Sequence, residues 1–453
     1  MAVKTPLRKK VRTILFILVL LFVAIQFIRP PLAHPPVTGD LSAPPEVKAI
    51  LQRACYDCHS NETKLAWFDQ PAPAYWLVAA DVKEARKHMN FSNWDSLSKP
   101  QQAAKLFEAI FQVEQKAMPL PQYGLLHHNA AISTEDIAVL KNYVGTLAYK
   151  ALPDTAREKA FIDQYARWTK TVITLADIHD EYNGIGYAAL AGFSNWEAVS
   201  TTERYDNGTL RAILGNDITV KAIREGHTNP WPDGAVFAKV AWDQLPDPSG
   251  EIHTGAFKQV EFMIRDKKKY ASTFGWGWAR WVGGLALKPY GKDATFATEC
   301  MNCHAPLKKN NYTFTFPLAD TLNLFDAAGS SPEAVAAHPL AGRIITSFVS
   351  KKEGSMSTLY GNEIAVRSAR IGQEYTAGAV ISLVTWSQRE DPHWFGGRIP
   401  AAIRSVETLS FGAGAVPVYK QYTGAPLAEV EPEAGIVAKR IADLLTLKAS
   451  VLP

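Results

Sequence analysis

Cysteine is scarce in this chain, with four in 453 residues. All four fall in two short runs, Cys55-Tyr56-Asp57-Cys58-His59 and Cys300-Met301-Asn302-Cys303-His304, so none is left over for a structural disulfide. Charge of one sign is lacking as well. The net charge is +4, and no Lys/Arg-rich block lies outside the N-terminus, which excludes nucleic acid as a partner. No segment reads as a kinase-like or DNA-binding output module. Long apolar runs are missing everywhere except near the start. Core material is plentiful, because 47% of residues are hydrophobic and 20% charged, so the chain reads as globular. Its length suggests about three domains.

Both cysteine runs spell C-x-x-C-H, the attachment signal of a c-type haem. Two thiols bond the haem vinyl groups, and the adjacent histidine becomes an axial iron ligand. The two-residue gap lets one turn of backbone bring both sulfurs and the imidazole to one side of the macrocycle. Two C-x-x-C pairs can also build a tetrahedral zinc site or act as redox pairs. Neither use needs a histidine directly after both pairs, and zinc would have to gather pairs far apart in sequence. The expected cofactors are two covalently bound c-type haems, held by Cys55 and Cys58 and by Cys300 and Cys303, with His59 and His304 on the irons.

Lys4, Arg8, Lys9, Lys10 and Arg12 precede an apolar run from Ile14 to Ile28 that only Gln26 interrupts. The run is a little short of the ~20 residues that span a bilayer, but flanking Arg12 and Arg29 can snorkel. No A-x-A cleavage site follows, so residues 1–36 are expected to be an uncleaved inner-membrane anchor with a proline-rich linker. The basic side stays in the cytoplasm and the remainder faces the periplasm, where bacterial haem attachment takes place. The prolines from Pro30 to Pro45 predict a stiff, extended linker.

Residues 37–150 predict an all-α haem domain. A helix opened by Pro44 and Pro45 leads into Cys55, and further helices cover Ala74 to Met89 and Pro100 to about Ala117. A last helix starts at Ser133 with Asp136 three residues on, a capping-box pattern. Met118-Pro119 lies in a loop between helices, and Met118 is the candidate sixth ligand. His127 and His128 are its rivals, and His88 is a weaker one. The segment resembles a family of small periplasmic haem-binding domains. The likeness rests on Ala54 to Thr63, Trp67-Phe68, Asp81-Val82-Lys83, Arg86, Met118-Pro119, Tyr123 and His128. In place of the family's later His-Pro stands His128-Asn129. The resemblance implies haem at the C-x-x-C-H run and Met118 as its sixth ligand.

In residues 151–320 the period changes from helical to alternating. Ala235 to Trp242, Ala256 to Ile264 and Phe274 to Trp281 read as strands, and Asp293 to Cys300 returns to helix. The segment resembles the cytochrome P-460 family through Asn207 to Arg211, Gly215-Asn216, Trp231 to Gly234, Lys239 to Trp242, Val260 to Met263, Gly275 to Trp278 and the second C-x-x-C-H run. The resemblance implies one c-type haem with a histidine on one face and a face often open to small ligands. Some members oxidise hydroxylamine with a haem cross-linked to a lysine, and others bind nitric oxide. No methionine lies on an obvious loop opposite His304, in keeping with an open face.

Residues 321–453 hold an internal repeat without cysteine. Gly361 to Val366 echoes Gly215 to Val220, Ala379 to Trp386 echoes Ala235 to Trp242, and Ser405-Val406-Glu407 echoes Gln259-Val260-Glu261. Glu261 aligns with Glu407, so their shared role is structural. Lys239 aligns with Leu383, and a lysine on a face otherwise apolar needs a reason. Lys239 is therefore the candidate catalytic or cross-linking residue, against the plainer readings that it snorkels to solvent or lines the pocket. Asp391 to Gly396 has no counterpart in the first copy. Its His393 could approach a haem edge or be an ordinary surface histidine.

The expected architecture is α+β and multidomain: an all-α cytochrome c-like domain, then two antiparallel sheet-plus-helix domains of P-460 type. The expected function is a membrane-anchored periplasmic dihaem cytochrome. The first haem would exchange electrons with a periplasmic or membrane carrier. The second would bind or oxidise hydroxylamine or nitric oxide, which makes the chain a possible haem-dependent oxidoreductase. The alternatives are an electron conduit with two six-coordinate haems, or a gas-binding protein.

Overall fold

The computed structural model describes residues 7–170, 181–182, 185–290, 295–318, 342–414, 416–424, 427–433 and 435–453. The chain forms two compact units, Met1–Leu147 and Ala148–Pro453.

The first unit is helical, with Pro45–Ala54, Tyr56–His59, Ala74–His88, Lys99–Glu114 and Thr134–Thr146 as its main helices. The expected start signals operate. Pro45 and Pro100 sit in first turns, where a missing N–H costs nothing. Ser133 and Asp136 form a reciprocal capping box through bonds of 2.9 and 3.1 Å. Val82, Phe91, Trp94, Phe107 and Phe111 are among the side chains that close the core. The segment after Pro30 is extended but is not a free linker. Tyr75 donates to the Pro30 carbonyl, Asn61 to that of Pro36, and the Thr38 amide to Ser92, so the strip is bound along the domain. Its prolines cannot pair in a ladder, and side chains supply the donors instead.

The N-terminal helix Leu7–Ile25 exposes Ile14 to Val23. Arg8, Lys9, Lys10 and Arg12 occupy its start. Among the described residues no helix is long and apolar enough to cross a membrane.

The second unit is built on strands. A small ladder of β1 (Glu181–Tyr182) and β2 (Ile185–Gly186) stands apart. The first copy of the repeat supplies β3 (Glu197–Arg204), β4 (Thr209–Gly215), β5 (Val236–Pro246), β6 (Glu251–Arg265), β7 (Trp276–Val282) and β8 (Lys288–Pro289). The second supplies β9 (Arg343–Ser350), β10 (Ser355–Gly361), β11 (Val380–Glu390), β12 (Gly397–Ser410), β13 (Val418–Thr423) and β14 (Ala428–Val430). Each copy has a short helix after its second strand, Asp217–Arg224 or Glu363–Arg370, capped by Asn216 or Asn362 at 3.0 Å. Each ends in another helix. In the first copy this is the cysteine-bearing Thr295–His304, and in the second it is Val437–Thr446.

The expected pair of sheet-plus-helix domains is corrected here. Strands run β11-β10-β9-β6-β5-β4-β3-β12, and β12 pairs back to β11, closing an eight-stranded antiparallel barrel. The copies are its two halves, sealed where β6 meets β9 and β3 meets β12. Alone, each half would leave two strand edges with unpaired N–H and C=O groups, and closure removes them. Inside lie Ala238, Val240, Trp242, Val260 and Phe262 of one half, with Tyr360, Val384, Trp386 and Val406 of the other.

Side chains alternate across a strand, so Phe237 and Lys239 point to the opposite, outer face. There Phe237, Met263, Trp276 and Trp278 cluster with Met301 of the cysteine-bearing helix. The barrel wall thereby seats the second C-x-x-C-H run.

Candidate haem sites

Around the first run, Cys55 ends one helix and its carbonyl accepts from the amides of Cys58 and His59, at 3.2 and 2.8 Å. This single turn brings both thiols and the imidazole together. His59 donates Nδ1–H to the Met89 carbonyl at 3.1 Å. A carbonyl only accepts, so the proton sits on Nδ1 and the lone pair on Nε2. The residues that carried the resemblance brace this turn. Arg86 donates to the Ser60 carbonyl and to the Thr63 hydroxyl, which donates to the Asp57 carbonyl. Tyr123 donates to the Asp57 carboxylate at 2.9 Å.

Met118 is half-buried in the loop after Lys99–Glu114, its amide donating to the Gln112 carbonyl. Its rival His127 is spent elsewhere. Its Nε2 meets Asp69 at 3.0 Å, its Nδ1 meets the Tyr123 carbonyl at 3.1 Å, and its ring stacks on Tyr123 at 3.7 Å. His88 pairs with Glu84 on the surface.

The second run repeats the logic. His304 donates Nδ1–H to the Tyr312 carbonyl at 2.6 Å, which again puts the lone pair on Nε2. Trp278 and Phe314 flank its ring, the latter edge-on at 4.9 Å and 88°. Burial pushes all three thiols of Cys55, Cys58 and Cys300 up to about 12, so they are protonated at neutral pH. Among the described residues, three metal-ligating groups converge only at Asp247, Glu251 and His253, away from both runs in sequence. Two thiols and an imidazole with its Nε2 lone pair are the donor set that a c-type haem takes, and each run offers one.

Beside Cys300 lies a row of charge set by strand register. Lys239 on β5 faces Glu261 on β6, which faces Arg280 on β7. Lys239 Nζ meets Glu261 at 2.6 Å, and Arg280 Nε meets it at 3.4 Å. Burial lowers Lys239 to about 8, with Glu261 opposing the fall. Burial also works against ionising Glu261, but Lys239, Arg280 and Arg211 outweigh it and hold the carboxyl far below its usual range. Arg211, likewise buried, falls to about 9. Sequence reasoning passed over Arg280, although it is the lone charge in Trp276-Gly277-Trp278-Ala279-Arg280-Trp281.

The second copy reproduces the register without the chemistry. Leu383 faces Glu407 there, as Lys239 faces Glu261. Glu407 is held by Arg440 through two bonds of 2.6 and 2.7 Å, and by the Tyr419 hydroxyl at 2.7 Å. Arg440 comes from Val437–Thr446, the helix that follows the strands of the second copy in chain order. The shared glutamate thus has a fold role in both halves, and the lysine is particular to one.

This row sets a pH signature. Glu261 has a folded pKa below its unfolded value of 4.5, so its contribution is complete above that pH and is lost as acid titrates the folded carboxyl. Lys239 keeps its proton to about 10.5 when unfolded and to about 8 when folded, so stability rises with pH between those values. In urea unfolding, Glu261→Gln is expected to flatten the acid slope below pH 4.5. Lys239→Leu is expected to flatten the alkaline one. Unchanged slopes would mean the row is not ionised as described.

His393 does not stand alone at a surface. Its Nδ1–H donates to the Phe314 carbonyl at 2.9 Å, and its ring stacks on Phe316 at 4.2 Å.

A family model described as a haem-binding domain matches residues 20–146, and one described as cytochrome P460 matches residues 190–315. No curated protein matches the chain. The second match ends just past Phe314 and leaves the cysteine-free half of the barrel outside it. Residues 20–146 belong to the haem-binding-domain family and residues 190–315 to the cytochrome P460 family, so the chain is a fusion of two haem-protein modules.

Proposed function

We propose that this chain is a dihaem c-type cytochrome that couples electron transfer to chemistry on a small nitrogen compound. One haem would be held by Cys55, Cys58 and His59, with Met118 as the further residue that would ligate its iron. The other would be held by Cys300, Cys303 and His304 and would supply the chemistry on hydroxylamine or nitric oxide. The observation that carries the reading is the matched state of the two histidines, each with Nδ1 spent on a backbone carbonyl and Nε2 left to ligate. When bound, haem iron supplies one-electron transfer and coordination of a small ligand.

The chain's own residues supply the rest. The Tyr312 carbonyl orients His304 and raises its basicity. Phe237, Trp276, Trp278 and Met301 keep water from the wall beneath the motif. Glu261 stays ionised, and Lys239 is the neighbouring group that most readily gives up a proton near neutral pH. A cross-link from Lys239 would free its place on Glu261, and Arg280 would keep that carboxylate paired. The lysine favours this reading over a conduit with two six-coordinate haems, because the equivalent position takes leucine where no haem motif is present.

Attachment to the periplasmic face of the inner membrane is part of the proposal. Its support is the exposed apolar surface from Ile14 to Val23. Its electron partner would be a periplasmic or membrane carrier.

The optical spectrum of the ferrous protein tests the function. One low-spin and one high-spin or red-shifted haem is expected, and two low-spin haems would establish the conduit instead. Met118→Ala is expected to abolish the weak charge-transfer band at the red edge and to lower the first haem's potential. An unchanged spectrum and potential would pass the ligand role to another group.

A further inference from the structure

The side chains that hold His304 in place stand on a segment with no partner strand. After the helical turn Ala305–Asn310, residues 311–317 form no ladder. Two grips on the His304 ring come from it: the Tyr312 carbonyl on Nδ1 and the Phe314 ring edge-on. A segment without a ladder needs other partners for its carbonyls. Asn310 serves one of them by donating to Thr313.

From the first half, Trp276 Nε1 donates to the Asn311 carbonyl at 3.1 Å and Phe274 stacks on Tyr312 at 4.9 Å, while the Phe314–Phe316 end is supported from the other half of the barrel. His393 donates Nδ1–H to the Phe314 carbonyl and stacks on Phe316 at 4.2 Å and 19°. Trp394 lies 6.0 Å from the Phe314 ring. These two residues are themselves anchored. Asp391 accepts from the His393 amide at 2.8 Å, Arg204 lies over the Trp394 ring at 4.3 Å, and Trp394 Nε1 donates to Asp206 at 3.2 Å. Gly396 closes the turn at φ 100°, a conformation that side chains resist. The equivalent turn of the first copy, Asp247-Pro248-Ser249-Gly250 between β5 and β6, is two residues shorter and lacks the histidine and the aromatics.

We propose that the Asp391–Gly396 turn of the cysteine-free half is a brace for the proximal ligand of the other half, with His393 as a positioning residue for His304. It acts by fixing the Tyr312–Phe316 segment, which sets the direction and strength of the Nδ1–H bond. That bond raises the basicity of a ligating imidazole, so loosening it weakens the iron–histidine bond and raises the reduction potential. The role explains why a half-barrel without cysteines carries a turn aimed at the haem motif. It rests on the proposed function for the haem at Cys300 and Cys303.

The test uses full-length, haem-loaded protein with three substitutions. His393→Ala removes ring and donor, His393→Phe keeps the stack without the N–H, and His393→Asn keeps a donor without the ring. Covalent haem is counted by mass in each, and resonance Raman reads the iron–histidine stretch of the ferrous second haem beside its midpoint potential. His393→Ala and His393→Phe are expected to lower and broaden the stretch and to raise the potential. His393→Asn is expected to restore much of both, and the first haem's potential should stay put as an internal reference. Should His393→Ala fail to fold, the comparison of His393→Phe with His393→Asn carries the same test. Stretch and potential unchanged in His393→Phe would overturn the brace while leaving the proposed function intact. Wild-type protein without covalent haem at Cys300 and Cys303 would overturn both.

Discussion

Replacing Cys300 and Cys303 together by alanine is expected to halve the covalent haem, from two per chain to one, as read by mass after denaturation. Replacing Cys55 and Cys58 is expected to do the same for the other haem. Each pair sits in one turn with its own histidine, and burial keeps Cys55, Cys58 and Cys300 protonated until attachment. The losses are expected to be independent, since each motif lies in its own compact unit with its own hydrogen-bonded support. A mass showing bound zinc and no covalent haem would end the reading of both sites.

Lys239→Leu is expected to cut hydroxylamine oxidation by about a hundredfold or more, the scale of a lost proton-transfer or covalent group, while nitric oxide binding persists. The substitution has a precedent inside the molecule. Leu383 occupies the same register in the second half, opposite the same kind of glutamate. Glu261 keeps Arg280 at 3.4 Å, so the loss of Lys239 does not leave a bare buried carboxylate. A tryptic digest of the wild type separates the two ways Lys239 could act. If it is bonded to the porphyrin, its peptide travels with the haem peptide of Cys300 to His304. If the peptide runs free, the cross-link is wrong and Lys239 acts as a charge or proton donor beside Cys300. Activity unchanged in Lys239→Leu would remove both roles.

Local patterns were legible wherever the physics is local. The capping box at Ser133 and Asp136, the asparagine caps at Asn216 and Asn362, and the apolar strand run of Val236 to Trp242 could be read directly, because each depends on neighbours within a few residues. Strands β3 and β9 were missed. Glu197-Ala198-Val199-Ser200-Thr201-Thr202-Glu203-Arg204 looks like a polar loop, yet Thr201 and Glu203 are buried by partners from the far half. The proline-rich strip after Pro30 has the composition of a linker, and it is tied down by distant partners such as the Asn61 and Tyr75 side chains and the Ser92 carbonyl.

The sequence by itself determined the two attachment motifs, the fusion of two haem modules and the single lysine that breaks the symmetry of the repeat. These are carried by covalent spacing and residue identity, which do not wait on folding. Only the tertiary structure decided that the repeat closes one barrel, that Arg280 completes the charged row, that Arg440 holds Glu407 in the second half, and that His393 reaches Phe314. Each depends on pairing between segments far apart in the chain. Strand register and barrel closure choose those neighbours, and no local pattern of residues encodes them.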